Sequence, residues 1–570
     1  MKFELYLVSS QVKHPAGREE NNLQNRTVEY GTTLQNEPYS IQALYRVFDD
    51  KPIPCHPVSI AVDGGRLSVE QYRVDFVPIT QAANLFDEDG FEGNFPGLYP
   101  DVLQQRPACP EIETRIHNGK PQYFEKDTDI LLNATNDYQS LWITLNSEEK
   151  AEAGTYPVTV TATSLLDGTV LAQKTFTLKV LDAELPDPKV YYTNWIYEDA
   201  ICDTYSVALY GKEFYQIFDQ LVTNAAKHRQ NTILLPAFTP PLDTSVGDER
   251  RNVQLTDVKR TDNGWAFSFL RMKEFVDHAK KCGIKFFEHS HLFSQWGAEH
   301  APNIYTVTGE RIFGTETDAT GTEYKEFLRA YLTAFLQFAK EEQIDKALIF
   351  HISDEPALEH IDCYRTAIRN VSDLLQEYPI ADALSHVEYY KEGLVKQPVA
   401  FIDRADEFDA VQALFWVYYT GGPHHKRATN RLISNTGART RVLGLQMYRY
   451  RALGFLHWGY NYYYDRMTHG IFNPLLTPCG YKQYPGVAHL VYPFCSKGIY
   501  VLPSIREKLM AEAFDDLRAL NLLESLIGRE NTLQICQQAF DDPIDCRLIP
   551  CEDQLCTMRE LVNEAIAKNI

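Results

Sequence analysis

Two adjacent carboxylates, Asp354 and Glu355, close the stretch Ala347-Leu-Ile-Phe-His-Ile-Ser-Asp-Glu-Pro356. Leu348, Phe350 and Ile352 are apolar, and His351, Ser353 and Glu355 fall between them, the period-two pattern of a buried strand. Pro356 has no N–H to give and ends the ladder. Paired acids at the carboxyl end of a buried parallel strand occupy the place where barrel enzymes keep their reacting groups. The same dipeptide also fits the start of a helix, with either acid as cap or first-turn residue.

The spacing of the two acids restricts the chemistry. A glycosidase of the ordinary kind sets one carboxyl on each side of the scissile bond, about 5–5.5 Å apart for retention or about 6.5–9.5 Å for inversion. Consecutive Cα atoms are only ~3.8 Å apart, so Asp354 and Glu355 approach a sugar from the same strand end. A 2-acetamido sugar removes the need for a second carboxyl, because its acetamido oxygen attacks the anomeric carbon and forms an oxazoline-type intermediate. Glu355 is then the general acid and later the base. Asp354 accepts the acetamido N–H and stabilises the developing positive charge. Two alternatives remain: a glycosidase on a non-acetylated sugar that recruits a third carboxylate such as Glu288 or Glu388, and a non-catalytic carbohydrate-binding protein.

Composition narrows the classes. A chain of 570 residues exceeds one core, and two or three domains are expected. Aromatic residues make up 12% of the chain, which suits stacking on sugar faces as well as large cores. The net charge of −22, without a Lys/Arg cluster, argues against nucleic acid and against an anionic membrane surface as partner. No apolar run is long enough for a signal peptide or a membrane span. The eleven cysteines include no Cys-x-x-Cys pair, and Cys546, Cys551 and Cys556 lack His partners at zinc-finger spacing. These features fit reduced thiols in a cytoplasmic protein without cofactor or metal. They leave the oligomeric state open.

Residues 1–185 read as an all-β sandwich. Leu141-Trp-Ile-Thr-Leu145, Tyr156-Pro-Val-Thr-Val-Thr-Ala162 and Thr175-Phe-Thr-Leu-Lys-Val180 alternate, with turn signals between them. The sandwich is read as structural support, with the alternative that a loop such as Gly97-Leu-Tyr-Pro-Asp101 reaches a neighbouring site. Beyond Leu185-Pro-Asp-Pro188 the pattern changes to strand then helix over residues 186–500. Strands are expected at 190–197, 232–238, 284–293, 347–353, 380–386, 411–418, 431–435 and 454–458. Helices are expected at 213–228, 267–281, 324–342, 357–376 and 440–451. That order fits a (β/α)8 TIM-like barrel. Residues 501–570 form a short helical extension that packs on the barrel, with helices at 504–527 and 554–567.

The strand ends then share a rim. They carry Trp195, His289, His291 and His351, followed by Trp416, Tyr418, Trp458, Tyr460 and Asn461. Aromatics, imidazoles and two acids on one concave surface make a sugar pocket. His289-Ser-His291 also places two imidazoles on one strand face, as some metal hydrolases do, but further ligands at other strand ends cannot be assembled.

The residues Phe350-His-Ile-Ser-Asp-Glu-Pro356 resemble the catalytic strand of glycoside hydrolase family 123. Family 20 hexosaminidases carry a similar His-x-x-x-Asp-Glu arrangement. The resemblance extends to Phe415-Trp-Val-Tyr-Tyr419 with Gly421-Gly-Pro423, to Gly454-Phe-Leu-His-Trp-Gly-Tyr-Asn461, and to Leu490-Val-Tyr-Pro493 and Pro503-Ser-Ile-Arg-Glu507. In the N-terminal region it touches Gly97-Leu-Tyr-Pro-Asp101 and Ala153-Gly-Thr-Tyr156. It implies a retaining β-N-acetylgalactosaminidase that works by substrate assistance, with Asp354 and Glu355 as the catalytic pair.

Overall fold

The computed structural model describes the chain apart from residues 1, 19–22, 49–55, 81–95, 107–110, 118–119, 127–131, 147–149, 243, 245–249, 263, 422–428, 469, 481–482 and 497. Gly422 and Pro423 of the aromatic-strand motif lie outside the described residues.

The N-terminal region is built from alternating segments; ten of its strands form two five-stranded sheets, and Glu111–His117 pairs separately with Lys120–Lys126. The first runs in the order Lys2–Ser9, Tyr39–Phe48, Gln139–Leu145, Val69–Ile79, Gly97–Arg106, with every pair antiparallel. The second contains Tyr30–Leu34, Val170–Leu181, Gly154–Ser164, His56–Asp63 and Asn133–Ala134. Inward residues of both sheets, among them Leu7, Ile41 and Ile143 from one and Val160, Phe176 and Leu178 from the other, meet in a single core. Period-two alternation produces this arrangement, because successive side chains point to opposite faces.

The remainder is α/β. Its parallel strands are short and mostly apolar: β1 Tyr191–Asn194, β2 Thr232–Leu235, β3 Phe286–His289, β4 Leu348–Phe350, β5 Ala383–Leu384, β6 Val399–Phe401, β7 Trp416–Tyr418 and β8 Gly454–His457. Continuous apolar runs are the mark of strands covered on both faces. The strands form a five-stranded sheet in the order β1-β8-β7-β6-β5 and a three-stranded sheet in the order β2-β3-β4. Between β4 and β5, the Phe350 N–H reaches Pro379 O at 2.9 Å and the Ala381 N–H reaches Phe350 O at 2.9 Å. Between β1 and β2, the Asn231 N–H reaches Tyr192 O at 3.2 Å.

Alternate residues serve two cores. Leu234, Ile349, Val399, Phe401, Trp416, Tyr418 and Leu456 share one cluster drawn from both sheets. Ile233, Leu235, Phe287, Leu348 and Phe350 turn the other way, onto the helices Lys212–Lys227 (α1), Leu270–Lys281 (α2), Thr322–Glu341 (α3) and Ile361–Arg369 (α4).

Two strand expectations are corrected. Residues 431–435 form no strand, β7 pairing directly with β8, and Val399–Phe401, where no strand was expected, pairs between β5 and β7. The Arg431 guanidinium is fully buried and donates to Asn194 Oδ1 at 2.5 Å and Gly459 O at 2.7 Å, which draws the segment across the strand ends. Gly97–Asp101 is likewise not a loop near a site but the start of an edge strand.

The helix Leu443–Tyr450 (α5) precedes the last parallel strand, and Ile505–Ile527 (α6) and Glu552–Asn569 (α7) follow it. α6 is capped by Ser504, whose side chain accepts the Glu507 N–H. A Cβ on Gly444 would meet Ala513 O at 1.9 Å, so glycine is what lets α5 and α6 touch. Among the described residues, no helix is long and apolar enough to cross a membrane.

A buried ion pair joins the two regions. Asp101 on the edge strand faces Arg506 on α6 at 2.9 Å with both side chains fully buried, and the Tyr492 hydroxyl donates to the same carboxylate at 2.6 Å. Removing one partner leaves the other charge desolvated without compensation, which costs about 3–5 kcal/mol. Asp101→Asn is therefore expected to lower the urea-unfolding free energy by about that amount, whereas a loss within error would mean that the pair contributes no net stability.

Candidate active site

Residues in or beyond the carboxyl ends of β1, β2, β3, β4, β5, β7 and β8 line a cavity of about 240 Å³. Its lining is Trp195, Leu242, Gln295, Trp296, Asp354, Glu355, Ala383, Tyr418, Thr420, Leu456, Trp458 and Met467. Among these described residues, the carboxylates are Asp354 and Glu355.

The pair stands beyond the end of β4 on a braced turn. Glu355 adopts a left-handed conformation, φ 45°, which a residue with a Cβ takes only when its surroundings impose it. Its N–H donates to Ala383 O at 3.1 Å, and the Asp354 carbonyl accepts the Trp296 N–H at 2.8 Å. Facing this turn is a second strained segment. Trp296 and Ala298 have φ 58° and 60°, and Gly297 between them has φ 135°. A Cβ on Gly297 would lie 2.7 Å from the His360 ring, so only glycine passes there.

The two acids differ in environment. Asp354 is 8% exposed and accepts from Gln295 Nε2 at 2.9 Å through Oδ2. Glu355 is exposed to the cavity mouth and accepts the Tyr418 hydroxyl at 2.8 Å through Oε1. Burial, reinforced by the Glu355 charge, holds the Tyr418 phenol well above its usual pKa, so Tyr418 stays a donor. The left-handed turn sends the adjacent acids into one cavity without the alternation of a strand. Parity counted from Phe350 does not apply, because β4 has already ended there.

Of the other residues expected at the rim, Trp195, Tyr418 and Trp458 line the cavity. His289 does not. Register pairs Glu288 with Leu234 and Ile349, which face the inner cluster, and pairs His289 with Leu235 and Phe350, which face the helices. The His289 ring accordingly bonds the Tyr331 hydroxyl on α3 at 2.7 Å, and burial lowers its pKa to about 4. His291 is buried behind the lining, stacked on His351 at 4.7 Å and edge-on to Trp195 at 5.4 Å. Trp416 lies at the far end of β7, stacked on Tyr191 at 4.8 Å. Tyr460 faces Glu507 at 2.9 Å, away from the cavity. Asn461 clamps the segment behind Trp195, accepting the Tyr197 N–H at 2.8 Å.

His351 sits beneath the floor, not in it. Its Nε2 is 3.3 Å from Glu288 Oε1 and its Nδ1 3.6 Å from Asp382 Oδ1, with all three side chains buried. Burial alone would discharge the ring, but the Asp382 and Glu288 carboxylates outweigh it and push the pKa up to about 10. Gln295, Trp296, Thr420 and Asp382 were not singled out from sequence. An aromatic-glycine dipeptide just past a strand end, Trp296-Gly297, is the one signal that could have found them. No group of three or more His, Cys, Asp or Glu among the described residues is arranged to hold a metal ion.

The model of the glycoside hydrolase 123 catalytic domain matches residues 195–523, more than half of the chain. A family 123 glycoside hydrolase from Clostridium perfringens, solved in a study of glycolipid glycan hydrolysis, superposes with a TM-score of 0.70 at 12% identity, over 100% of this chain and 97% of that one. A family 39 glycoside hydrolase from Bacteroides cellulosilyticus gives a TM-score of 0.32 at 9% identity, over 86% of this chain and 82% of that one. A family 2 member from the same species gives 0.26 at 9% identity, over 77% and 45%. No curated protein matches the chain in sequence.

The His351 charge makes stability depend on pH. Its pKa rises on folding from 6.5 to about 10, so the stabilisation is complete below the lower value and is lost as pH climbs through the upper one. The thermal midpoint of the protein is expected to fall over that alkaline interval. In His351→Gln the midpoint starts lower at neutral pH and falls less, and parallel curves would count against a charged ring.

Proposed function

This chain belongs to glycoside hydrolase family 123, and from that premise we propose that it removes β-linked N-acetylgalactosamine from glycans by substrate-assisted catalysis with retention. Glu355 protonates the glycosidic oxygen while the sugar's acetamido oxygen attacks the anomeric carbon. The leaving alcohol departs, and an oxazoline-type ring stays on the sugar. Glu355 then takes a proton from the water that opens the ring. Asp354 accepts the acetamido N–H and balances the positive charge that develops on the group.

One observation carries this reading: two neighbouring carboxylates open onto one cavity whose described lining holds no third. Glu288 is fully buried and committed to Thr193 at 2.8 Å and to His351, so it is not available to stand across a sugar from the pair. The contrast in exposure fits the roles. A group that exchanges protons with leaving group and water stands at the mouth, and the group that stabilises charge is shielded, where its field is stronger. The Trp195, Trp296 and Trp458 rings supply surfaces for sugar faces. The glycolipid glycans of the Clostridium perfringens enzyme suggest glycans ending in this sugar as the substrate class. We also read the eight parallel strands as a closed (β/α)8 barrel, which the backbone bonds at Phe350 and at Asn231 support.

Wild-type protein is expected to hydrolyse an aryl β-N-acetylgalactosaminide and to release the β-anomer first by proton NMR. Glu355→Gln and Asp354→Asn should each lower kcat by about 10²–10⁴-fold with an unchanged melting curve. Equal turnover of the aryl galactoside, which lacks the acetamido group, would sink the substrate-assisted mechanism. Binding without product would point to a carbohydrate-binding protein instead.

A further inference from the structure

Asp382, the residue before β5, is fully buried and far from any solvent-facing role. Its Oδ1 accepts the Ile352 N–H at 2.8 Å, and its Oδ2 accepts the Ser353 N–H at 3.1 Å and the Tyr364 hydroxyl at 2.5 Å. Oδ1 also stands 3.6 Å from His351 Nδ1. One carboxylate thus accepts the N–H groups of two consecutive residues, 352 and 353, beside the ring of His351, and the next residue is Asp354.

The arrangement answers a backbone need. β4 ends at Phe350 and β5 begins at Ala383, so the N–H groups of 352 and 353 have no strand to pair with. Buried N–H groups must find acceptors, and the Asp382 carboxylate takes the place of the missing ladder. The Glu355 N–H then returns to Ala383 O, so the turn is tied to residues 382 and 383 at both of its ends. The charged ring is part of the same clamp. His351 is faced by Glu288 on β3 and Asp382 ahead of β5, by the uncharged His291 stacked on it and by the Trp195 edge at 5.9 Å, while His289, turned to the helices, is near enough only to feel its charge. Glu288 is in turn held by Thr193 on β1 at 2.8 Å. The frame therefore links four strand ends behind the acids.

We infer that Asp382 is a positioning residue for the reaction: through the backbone of Ile352 and Ser353 it sets where the Asp354 carboxylate meets the acetamido group. This rests on the reading of Asp354 and Glu355 as the reacting pair. Asp382 touches no substrate, so its loss acts on turnover and leaves ground-state binding largely alone. An error of about 1 Å in placement costs on the order of 10²-fold in rate.

Asp382→Asn keeps the shape but turns an amide N–H toward donors that the carboxylate accepted. Tyr364→Phe removes one donor and reverses none. With the aryl β-N-acetylgalactosaminide, Asp382→Asn is expected to lose about 10²-fold in kcat with KM within about threefold, and Tyr364→Phe to lose less. A thiazoline mimic of the intermediate should bind Asp382→Asn more weakly by a factor that follows kcat. A crystal structure of Asp382→Asn gives a reading that needs no substrate: the Asp354 carboxylate moves by more than about 0.5 Å, the tolerance of a working site. Full kcat in a folded Asp382→Asn, or an Asp354 carboxylate that superposes on the wild type, overturns the assignment. If Glu355→Gln also keeps full activity, the catalytic pair itself is misassigned, which is a separate failure.

Discussion

A positive charge buried between two carboxylates underlies the site. His351 lies between Glu288 and Asp382 with none of the three in contact with solvent. Replacing such an ionic cluster by apolar groups often costs nothing in stability, whereas removing one member is expensive. Its value here is geometric. A carboxylate can accept several donors at fixed directions, and an imidazolium can bridge two carboxylates, so the cluster fixes the spacing between strand ends that carry no hydrogen-bonded ladder at that height. An apolar floor would fill the same volume without dictating where the chain leaves β4.

The frame supports strain at the surface above it. Glu355 and Trp296–Ala298 hold left-handed backbone angles next to each other, and hydrogen bonds from one segment satisfy the other. Residues in such conformations cost of order 1–3 kcal/mol each and persist only where the surroundings over-determine them. In return, consecutive side chains that an extended strand would send to opposite faces open onto a common cavity. The shielded acid and the open acid come from one turn, and their different exposures follow from that geometry.

Rigidity extends outward through the helices. α6 packs with α5 and α7 against the outer face of the five-stranded sheet and the edge of the N-terminal region. The same helix carries Arg506, whose guanidinium donates to Gly486 O at 2.7 Å and His489 O at 2.8 Å as well as facing Asp101. The residues that follow β8 are thereby anchored to the N-terminal sheets, and Trp458 stands at the start of that stretch.

Local pattern carried much of this protein. Period-two alternation marked the N-terminal strands, short apolar runs marked most of the parallel ones, and helical spacing marked α1, α2, α3 and α6, because burial on one face or two leaves a periodic trace in the chain. The adjacency of Asp354 and Glu355 is covalent, so it was readable without a fold. The rest depended on packing between distant segments. Whether His289 or Glu288 faces inward turns on a one-residue register between β2, β3 and β4, and the sequence alone placed His289 on the rim. Val399–Phe401 is too short for its pattern to stand out, and 431–435 looked like a strand because Leu432 and Ile433 enter cores by another route. Gln295, Trp296 and Asp382 reach their partners across 30 to 60 residues of chain, and no local rule announces such a meeting. Tertiary structure decided which imidazole is charged, which aromatic rings face the cavity, and how two neighbouring acids come to share it, since each depends on what lies across the space and not along the chain.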